Sequence, residues 1–518
     1  QTCALPISDD DEIITQFDKV AVEKLGFLKA DLLGLRNLDT LELARQLIEE
    51  RHGTRIDYYA LQEEPPESPL WQLFERGDTL GLFQLEGDAI TGLTMRLKPR
   101  SIQEVSTILA LYRPGIINAR MPDGSSMLDN YVKRAEGMQV EYIAPQLEPI
   151  LKDTYGTIVY QEQIISIVMQ LGGFSEVEAD GVRAAIGKKH MDDLKAARPK
   201  FVKGCRERGV TEFQANAIFD QMEASGDYIF NKAHSLGYAT ITYWTAWLKH
   251  HYPIEYYAAC MSTVGSDKAP LYMREAKRKG FRIVPPSASK LSSGYVILND
   301  TDIAFGLVNV KGIGGKTIDR ILDGAPYADF NDFVVRSGAN SAAITALVNG
   351  GVFRDWEPNR RKLLGKYERG ETQEGLFDLD EGVGDYDDEA IERIETEIYG
   401  MPLSIDGFAK YRDRLGGAYQ MIETMETVEA APVGSNHALL VKVAEVRPKV
   451  GKKGVFAFLR FTTDREEEFE AIAFSDVYSI TQQWLKVSAY LVVEISKECY
   501  NNKVSYNVRR VQNFKEGR

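Results

Sequence analysis

Cysteine is scarce. The 518 residues hold only Cys3, Cys205, Cys260 and Cys499, far apart and with no CxxC or Cys/His cluster. That spacing supports neither a disulfide framework nor a zinc site, and it fits a reducing setting, so a cytoplasmic location is expected. Long apolar runs are missing too: no stretch reaches the roughly 18 residues a membrane span needs, so no membrane partner is expected. Nor is there an excess of positive charge. Lys and Arg number 62 against 76 Asp and Glu, a net -14 that, taken over the whole chain, argues against nucleic-acid binding. What remains is ordinary globular composition, 44% hydrophobic and 27% charged, at a length that allows about three to five domains of roughly 100 to 200 residues.

The charge is unevenly spread. Residues 371–400 hold 12 acidic residues opposed only by Arg393, a local -11 that leaves -3 for everything else. Residues 183–208 reverse the balance, with 9 basic and 3 acidic residues, a net +6. Such a run is ordinarily a solvated helix face, and polyanion binding is its sharper reading.

Gln1 to Ile7 is neither an initiating Met segment nor a signal peptide. One back-translation of QTCALPI matches the end of a common sequencing-library adapter, so residues 1–8 are expected to be non-native, with the true protein continuing upstream. Residues 9–40 read as a short αβ element, with a strand from Gly26 to Leu33 ended by Gly34. From about 41 to 265 the pattern reads as mainly helical, with a capping box at Ser175 and Glu178. Pro285-Pro286 and the Ser/Lys-rich stretch after it read as a linker. Small helical units and the acidic segment fill 291–429. From 430 to 518 the apolar period becomes two, as in Leu439/Val441/Val443 and Val455/Ala457/Leu459/Phe461. About five strands with a helical interruption near 476–486 suggest an OB-fold barrel. The expected fold class is therefore a multidomain α+β chain.

On a strand, Phe27, Lys29 and Asp31 share one face. Like-facing neighbours stand roughly 7 Å apart, so the ammonium and carboxylate converge more readily on a third object than on each other. A metal-bound phosphate suits both, and a solvated strand face is the plainer alternative. The surrounding FDKVAVEKLGFLKADLLGLRNL (17–38) resembles the segment of bacterial family C replicative DNA polymerases, the DNA polymerase III alpha subunits, that delivers the third catalytic aspartate of the palm. Asp31 matches that aspartate and Lys29 the family lysine facing the triphosphate. Further blocks resemble the family in order: GLFQLEG (81–87), LYRPG (111–115), YGTIVYQEQ (155–163), ADGVRAAIGKK (179–189) and FNKAHSLGY (230–238).

Beside that resemblance the residues have their own logic. Arg183, Gly187 and His190 would share a helix face, presenting a guanidinium, a bare backbone and an imidazole to a phosphate. The family usually has two successive arginines here, whereas Arg183 is followed by Ala184; Lys188 and Lys189 are expected to stand in. Asn231, Lys232 and His234 precede a helix whose N-terminus favours anions, and the resemblance implies that His234 packs against the nucleotide sugar. Ile241, Trp244 and Leu248 read as core. Lys311-Gly312-Ile313-Gly314-Gly315 resembles a helix-hairpin-helix, whose bare Gly312 and Gly314 would let backbone N–H groups reach a DNA phosphate; a plain turn is the alternative. Gln373, Leu376 and Phe377 in the acidic run resemble the peptide by which replicative polymerases bind the sliding clamp, with Gly375 in place of the commoner Ser or Asp. In the barrel, Lys452, Lys453, Phe456, Phe458 and Arg460 combine charge and aromatic rings as single-stranded DNA binding requires, unless that face is buried.

The resemblance spans residues 9–518. It implies the end of the palm (9–40), fingers (41–290), a helix-hairpin-helix and clamp-binding region (291–429) and an OB-fold (430–518). It further implies template-directed addition of nucleotides to a primer, with two Mg2+ ions held by three aspartates. Only Asp31 of the three is present, so this polypeptide is expected to bind DNA without polymerising. Primer–template DNA, dNTP, the sliding clamp and other replisome subunits are the expected partners. A non-catalytic, clamp-tethered accessory protein and an error-prone polymerase paralogue are the alternatives.

Overall fold

A computed structural model describes residues 17–28, 34–117, 124–370, 382–452, 454–500 and 503–514. The chain divides into two units, Gln1–Asp39 and Thr40–Arg518. In the first, a short helix Lys19–Lys24 starts where Asp18 Oδ1 accepts the Ala21 N–H at 2.8 Å. It ends at Gly26, whose φ of +77° is a left-handed cap open to glycine without strain. Phe27 and Leu28 beyond it are exposed and in no strand, so this part of the expected strand is absent. Lys29 and Asp31 lie outside the described residues.

The second unit is built on several cores. The Ile102–Leu111 and Lys232–His251 helices pack together through Val105, Ile108, Tyr243 and Ala246 against Leu70, Trp71 and Phe74. A separate core joins Gln161–Gln170, Glu176–Lys188, Met191–Glu207 and Glu212–Ala224 through Ile164, Ile167, Val182, Ile186, Phe201 and Phe219. The capping box at Ser175 and Glu178 forms as expected. A third core runs from Leu41, Ala44 and Ile48 through Tyr256, Tyr257 and Ile303 to Leu347, Phe353 and Tyr399. Leu248 lies in it, with Ile241 and Trp244 packed on its edge.

That third core corrects the reading of Pro285-Pro286 as a linker. Strand β1 (Arg282–Val284) leads into the two prolines, and β2 (Val296–Ile297) and β3 (Asp302–Ala304) complete a small sheet in the order β1-β3-β2. The Arg354 guanidinium donates to the carbonyls of Pro285 (3.1 Å) and Pro286 (2.6 Å), and Ala288 N–H donates to Val352 O at 2.8 Å. Proline cannot donate, but its carbonyl still accepts, so a proline pair is as readily packed as solvated.

The helices Gly315–Gly324, Phe330–Arg336, Ser341–Asn349 and Arg360–Arg369 follow. Only a single 3-10 turn, Leu307–Asn309, precedes the Lys311–Gly315 glycines, where two flanking helices were expected. Part of the acidic run is also not what its charge suggests. Asp388–Tyr399 is a helix, capped by the Asp387 side chain, that buries Ile391, Glu392, Glu395 and Ile398. Glu395 is held by the Arg360 guanidinium at 2.8 Å and by the N–H groups of Leu403 (2.7 Å) and Ser404 (2.8 Å). Glu392 accepts from Lys442 at 2.5 Å and from the Tyr490 hydroxyl. Burial is tolerable here because each carboxylate meets a cation and further donors.

The C-terminal strands β4 (Asn436–Gly451), β5 (Gly454–Thr463), β6 (Glu468–Ala473), β7 (Tyr490–Tyr500) and β8 (Lys503–Asn513) close into a barrel in the order β4-β5-β6-β8-β7. The helix Ser475–Thr481 follows β6, where the interruption was expected. Leu439, Val441, Val443, Ala457, Leu459, Phe461, Phe469, Ala471 and Ala473 fill the interior. A bulge between Val443 and Glu445 shifts the β4/β5 register, letting a 16-residue strand bend around the closure. Five strands closed in this way are consistent with an OB-fold.

Candidate nucleotide and nucleic-acid interface

Three of the sequence blocks meet at one cleft of about 360 Å³, lined by Gln84, Ile90, Leu109, Arg113, His234 and Tyr238, among others. Gln84 comes from the 81–87 turn, with φ +65°, a left-handed conformation uncommon for glutamine. The turn is held there from both sides: Thr245 Oγ1 accepts the Phe83 N–H (3.1 Å), and the Thr242 hydroxyl donates to Phe83 O (2.9 Å). Tyr256 donates to Gly81 O at 2.7 Å. A fourth block pairs with the backbone of Phe230. Gln161 N–H donates to Phe230 O (2.8 Å), Phe230 N–H to Val159 O (2.9 Å), and the buried Tyr160 hydroxyl meets Thr107 Oγ1 at 3.1 Å.

His234 is exposed at the cleft edge, its ring 4.5 Å from that of Tyr238 and 5.5 Å from that of Phe230. The helix N-terminus beside it is already occupied, which revises the expected anion site. Asn231 Oδ1 accepts the His234 N–H at 2.8 Å as the cap, and both Glu162 oxygens accept the Lys232 N–H at 3.0 Å. The strand-like pairing of Tyr160 with Phe230 brings this carboxylate to the first turn, so the protein supplies its own anion. The Lys232 ammonium lies 5.7 Å from the centre of the Tyr160 ring.

Arg183, Lys188 and Lys189 do not line this cleft. Arg183 pairs with Asp180 one turn earlier at 2.9 Å on the exposed face. Gly187 meets nothing within 4 Å and is open to approach. The helix stops at Lys188, with Lys189 in the left-handed region at φ +57°. His190 is consequently the N-cap of the next helix and does not continue the Arg183/Gly187 face, correcting the expected three-residue alignment.

Lys311 is exposed, and a Cβ at Gly312, Gly314 or Gly315 would meet no heavy atom within 4 Å, so their backbone is bare. A second hairpin, at Gly338 (φ +61°), joins Phe330–Arg336 to Ser341–Asn349. On the barrel, Phe456 and Phe458 lie on the outer face of β5 with ring centroids 5.5 Å apart, and Lys449 sits 5.1 Å over Phe458. Arg460 is paired with Glu445 at 3.3 Å and Arg447 with Glu470 at 2.6 Å. Lys452 is exposed in the β4–β5 turn, and Lys453 lies outside the described residues. So do Gln373, Leu376 and Phe377.

Comparison with known proteins places this architecture. Residues 37–209 match the bacterial DNA polymerase III alpha subunit finger domain, and residues 280–363 match a helix-hairpin-helix motif. The DNA polymerase III subunit alpha of Aquifex aeolicus (strain VF5) is 34% identical over 96% of this chain and 43% of its own length. That of Thermus aquaticus is 34% identical over 95% and 42%, and that of Bacillus subtilis (strain 168) 30% identical over 99% and 47%. The chain belongs to the bacterial DNA polymerase III alpha subunit family. It spans less than half the length of these relatives.

As a member of this polymerase family, the chain has two features that its sequence alone did not single out. Glu162 sits inside the YGTIVYQEQ block but reads there as one polar letter among several; only the Gln161–Phe230 pairing shows it facing Lys232. Arg113 sits inside LYRPG. Its signal was the following Pro114, which favours a break in the helix, and the Ile102–Leu111 helix does end just before it. Among the described residues no helix is long and apolar enough to cross a membrane, and no cluster of three or more His, Cys, Asp and Glu could hold a metal ion.

Proposed function

We propose that this chain is the finger, helix-hairpin-helix and OB-barrel portion of a replicative DNA polymerase, adding deoxynucleoside monophosphates to a primer 3' end against a template. The observation that carries it is the convergence of family blocks separated by more than a hundred residues on the one cleft edged by His234. Residues 9–40 would end the palm, 41–290 form the fingers, 291–429 the helix-hairpin-helix and clamp-binding region, and 430–518 the barrel.

In this reading His234 packs on the sugar beside Asn231 and Lys232 faces the triphosphate, while Arg183, Lys188 and Lys189, which lie outside the cleft, offer phosphate contacts of their own. Lys311, Gly312 and Gly314 take a duplex phosphate through bare backbone, and Lys452, Lys453, Phe456, Phe458 and Arg460 take single-stranded template. Gln373, Leu376 and Phe377 dock the sliding clamp. Asp31 would be one ligand of two Mg2+ ions, which when bound lower the pKa of the attacking hydroxyl and neutralise charge on the leaving oxygens. With one such aspartate among its 518 residues, the chain alone binds primer–template without extending it. The test is a labelled primer–template titrated with the chain, then incubated with dNTPs and Mg2+. Salt-sensitive binding without extension is expected. Failure to bind at low salt overturns the reading, and extension overturns the claim of inactivity.

A further inference from the structure

We propose that the Arg113 guanidinium binds a phosphate oxygen of a nucleotide in the cleft that His234 edges. The inference rests on the polymerase reading and adds to it a residue that lies outside the expected phosphate-facing set. Arg113 lines the cleft, and its guanidinium carbon lies 3.9 Å from the centre of the Phe230 ring. Its Nε–H donates to Ala110 O at 2.8 Å and an Nη2–H to Tyr228 O at 2.9 Å, which fixes the plane of the fork. A guanidinium carries five N–H groups, so the anchoring carbonyls do not exhaust it.

Among the described residues no carboxylate pairs with Arg113. The half-buried Arg51 and Arg198 and the buried Arg360 do have one, Glu255 at 2.5 Å, Glu223 at 2.6 Å and Glu395 at 2.8 Å, whereas the half-buried Arg134 donates to Tyr155 O at 3.2 Å. Arg354 shows that carbonyls alone can satisfy an arginine, but it meets the carbonyls of Pro285, Pro286 and Gly351 and lines no cleft described here. Burial pushes the pKa of Arg113 down, with no carboxylate to oppose it. The charge nevertheless persists, because arginine does not deprotonate in proteins. A desolvated cation with spare donors at the wall of an open cleft is a ready partner for an incoming anion.

The rest of the lining says which anion. Ile90 and Leu109 give it apolar lining, and the His234 and Tyr238 rings, 4.5 Å apart and tilted by 36°, give it an aromatic side. At about 360 Å³ the cleft suits one nucleoside-sized group, and the single guanidinium at its wall suits contact with one phosphate of it. An aromatic wall for a sugar or base beside one fixed guanidinium is nucleotide chemistry. The phosphate could belong to an incoming nucleotide or to the DNA backbone, and the experiment separates the two.

The full 518-residue chain and its Arg113→Gln and Arg113→Lys variants are titrated with three probes across a salt series: a labelled primer–template, dATP, and deoxyadenosine without phosphate. Melting temperatures are recorded alongside. Arg113→Gln is expected to weaken primer–template or dATP by on the order of tenfold. Arg113→Lys should recover part of that loss, since it keeps the charge without the fork. A loss on the DNA arm, with the salt slope reduced by about 1, assigns a backbone phosphate. A loss on the dATP arm that deoxyadenosine does not share assigns the nucleotide's own phosphate. Unchanged affinities overturn the inference while leaving the polymerase reading standing. So does a loss shared by deoxyadenosine, or one that follows the melting temperature with no change in salt slope. If the wild-type chain binds neither DNA nor dATP, the polymerase reading fails and takes this inference with it.

Discussion

The acidic stretch 371–400 and the basic stretch 183–208 are the two charge anomalies of this sequence, and the fold treats them in opposite ways. Within the acidic stretch the Asp388–Tyr399 helix turns Glu392 and Glu395 inward, where Lys442, Tyr490 and Arg360 meet them. These carboxylates tie the helix to the barrel and to the Arg360–Arg369 helix. The basic stretch stays on the surface, where much of its charge is answered by neighbouring helices. Arg198 meets Asp220 (2.7 Å) and Glu223 (2.6 Å), Lys200 meets Glu178, and Arg206 meets Glu212 at 3.6 Å. Net charge along a segment therefore says little about its role. What matters is whether the opposing charge comes from far along the chain and whether water is excluded between them.

The largest effect that would test this contrast is at Arg360. Replacing it with Met leaves Glu395 buried at 0% exposure with its backbone donors but no cation, which should cost about 3–5 kcal/mol in urea unfolding. Arg360→Met/Glu395→Met should recover much of that loss, because paired apolar groups need no desolvation. A single variant as stable as the parent would show that the pair is not buried in solution and would erase the difference between the two stretches.

The next effect lies in the part of the acidic stretch outside the described residues. If 373–377 docks the clamp, the same run holds a structural helix and a recognition peptide side by side. Leu376→Ala/Phe377→Ala should then weaken binding to a sliding clamp by about 2–4 kcal/mol, read by surface plasmon resonance, with the melting temperature unchanged. Equal clamp affinity in both proteins would make the pentad plain linker.

How much was legible follows the same division between local and distant partners. The barrel was legible because its signal is local: alternation at Leu439, Val441 and Val443 places three side chains inside whatever the neighbours are. The capping box at Ser175 and Glu178 was legible for the same reason. The order of the blocks pointed to the family, but not to the cleft, because the contacts that build it, such as Gln161 to Phe230, join residues far apart in sequence. Pro285-Pro286 was misread because the arginine that packs it, Arg354, lies 68 residues downstream of Pro286. The burial of Glu392 and Glu395 left no local signal because their cations, Lys442 and Arg360, lie 50 and 35 residues away.

A smaller effect belongs to the barrel, whose cations resemble those of the basic stretch in having carboxylate partners. Arg460 and Arg447 are held by Glu445 and Glu470, so the rings should contribute more than the charge. In the full chain, Phe456→Ala and Phe458→Ala should each weaken a labelled single strand by about 1–3 kcal/mol, whereas Arg460→Ala should change little beyond the salt slope. The reverse ranking would mean that Glu445 releases Arg460 to DNA.

The smallest effect on stability, and the sharpest test of the basic stretch, is at Arg183. Its partner Asp180 is one turn away on the same helix at 2.9 Å, and both side chains reach solvent. An exposed pair of that kind gains little Coulomb energy and loses side-chain entropy, so Arg183→Ala should move unfolding stability by no more than about 0.5 kcal/mol. If the open backbone at Gly187 and the guanidinium together receive a triphosphate, the same variant should raise the dATP dissociation constant while leaving primer–template affinity nearly constant. Equal losses of dATP and DNA would make Arg183 a general polyanion contact. No loss of either would return the stretch to a solvated face whose positive charge is balanced by its own neighbours, and the contrast with the acidic helix would then be one between two purely structural solutions.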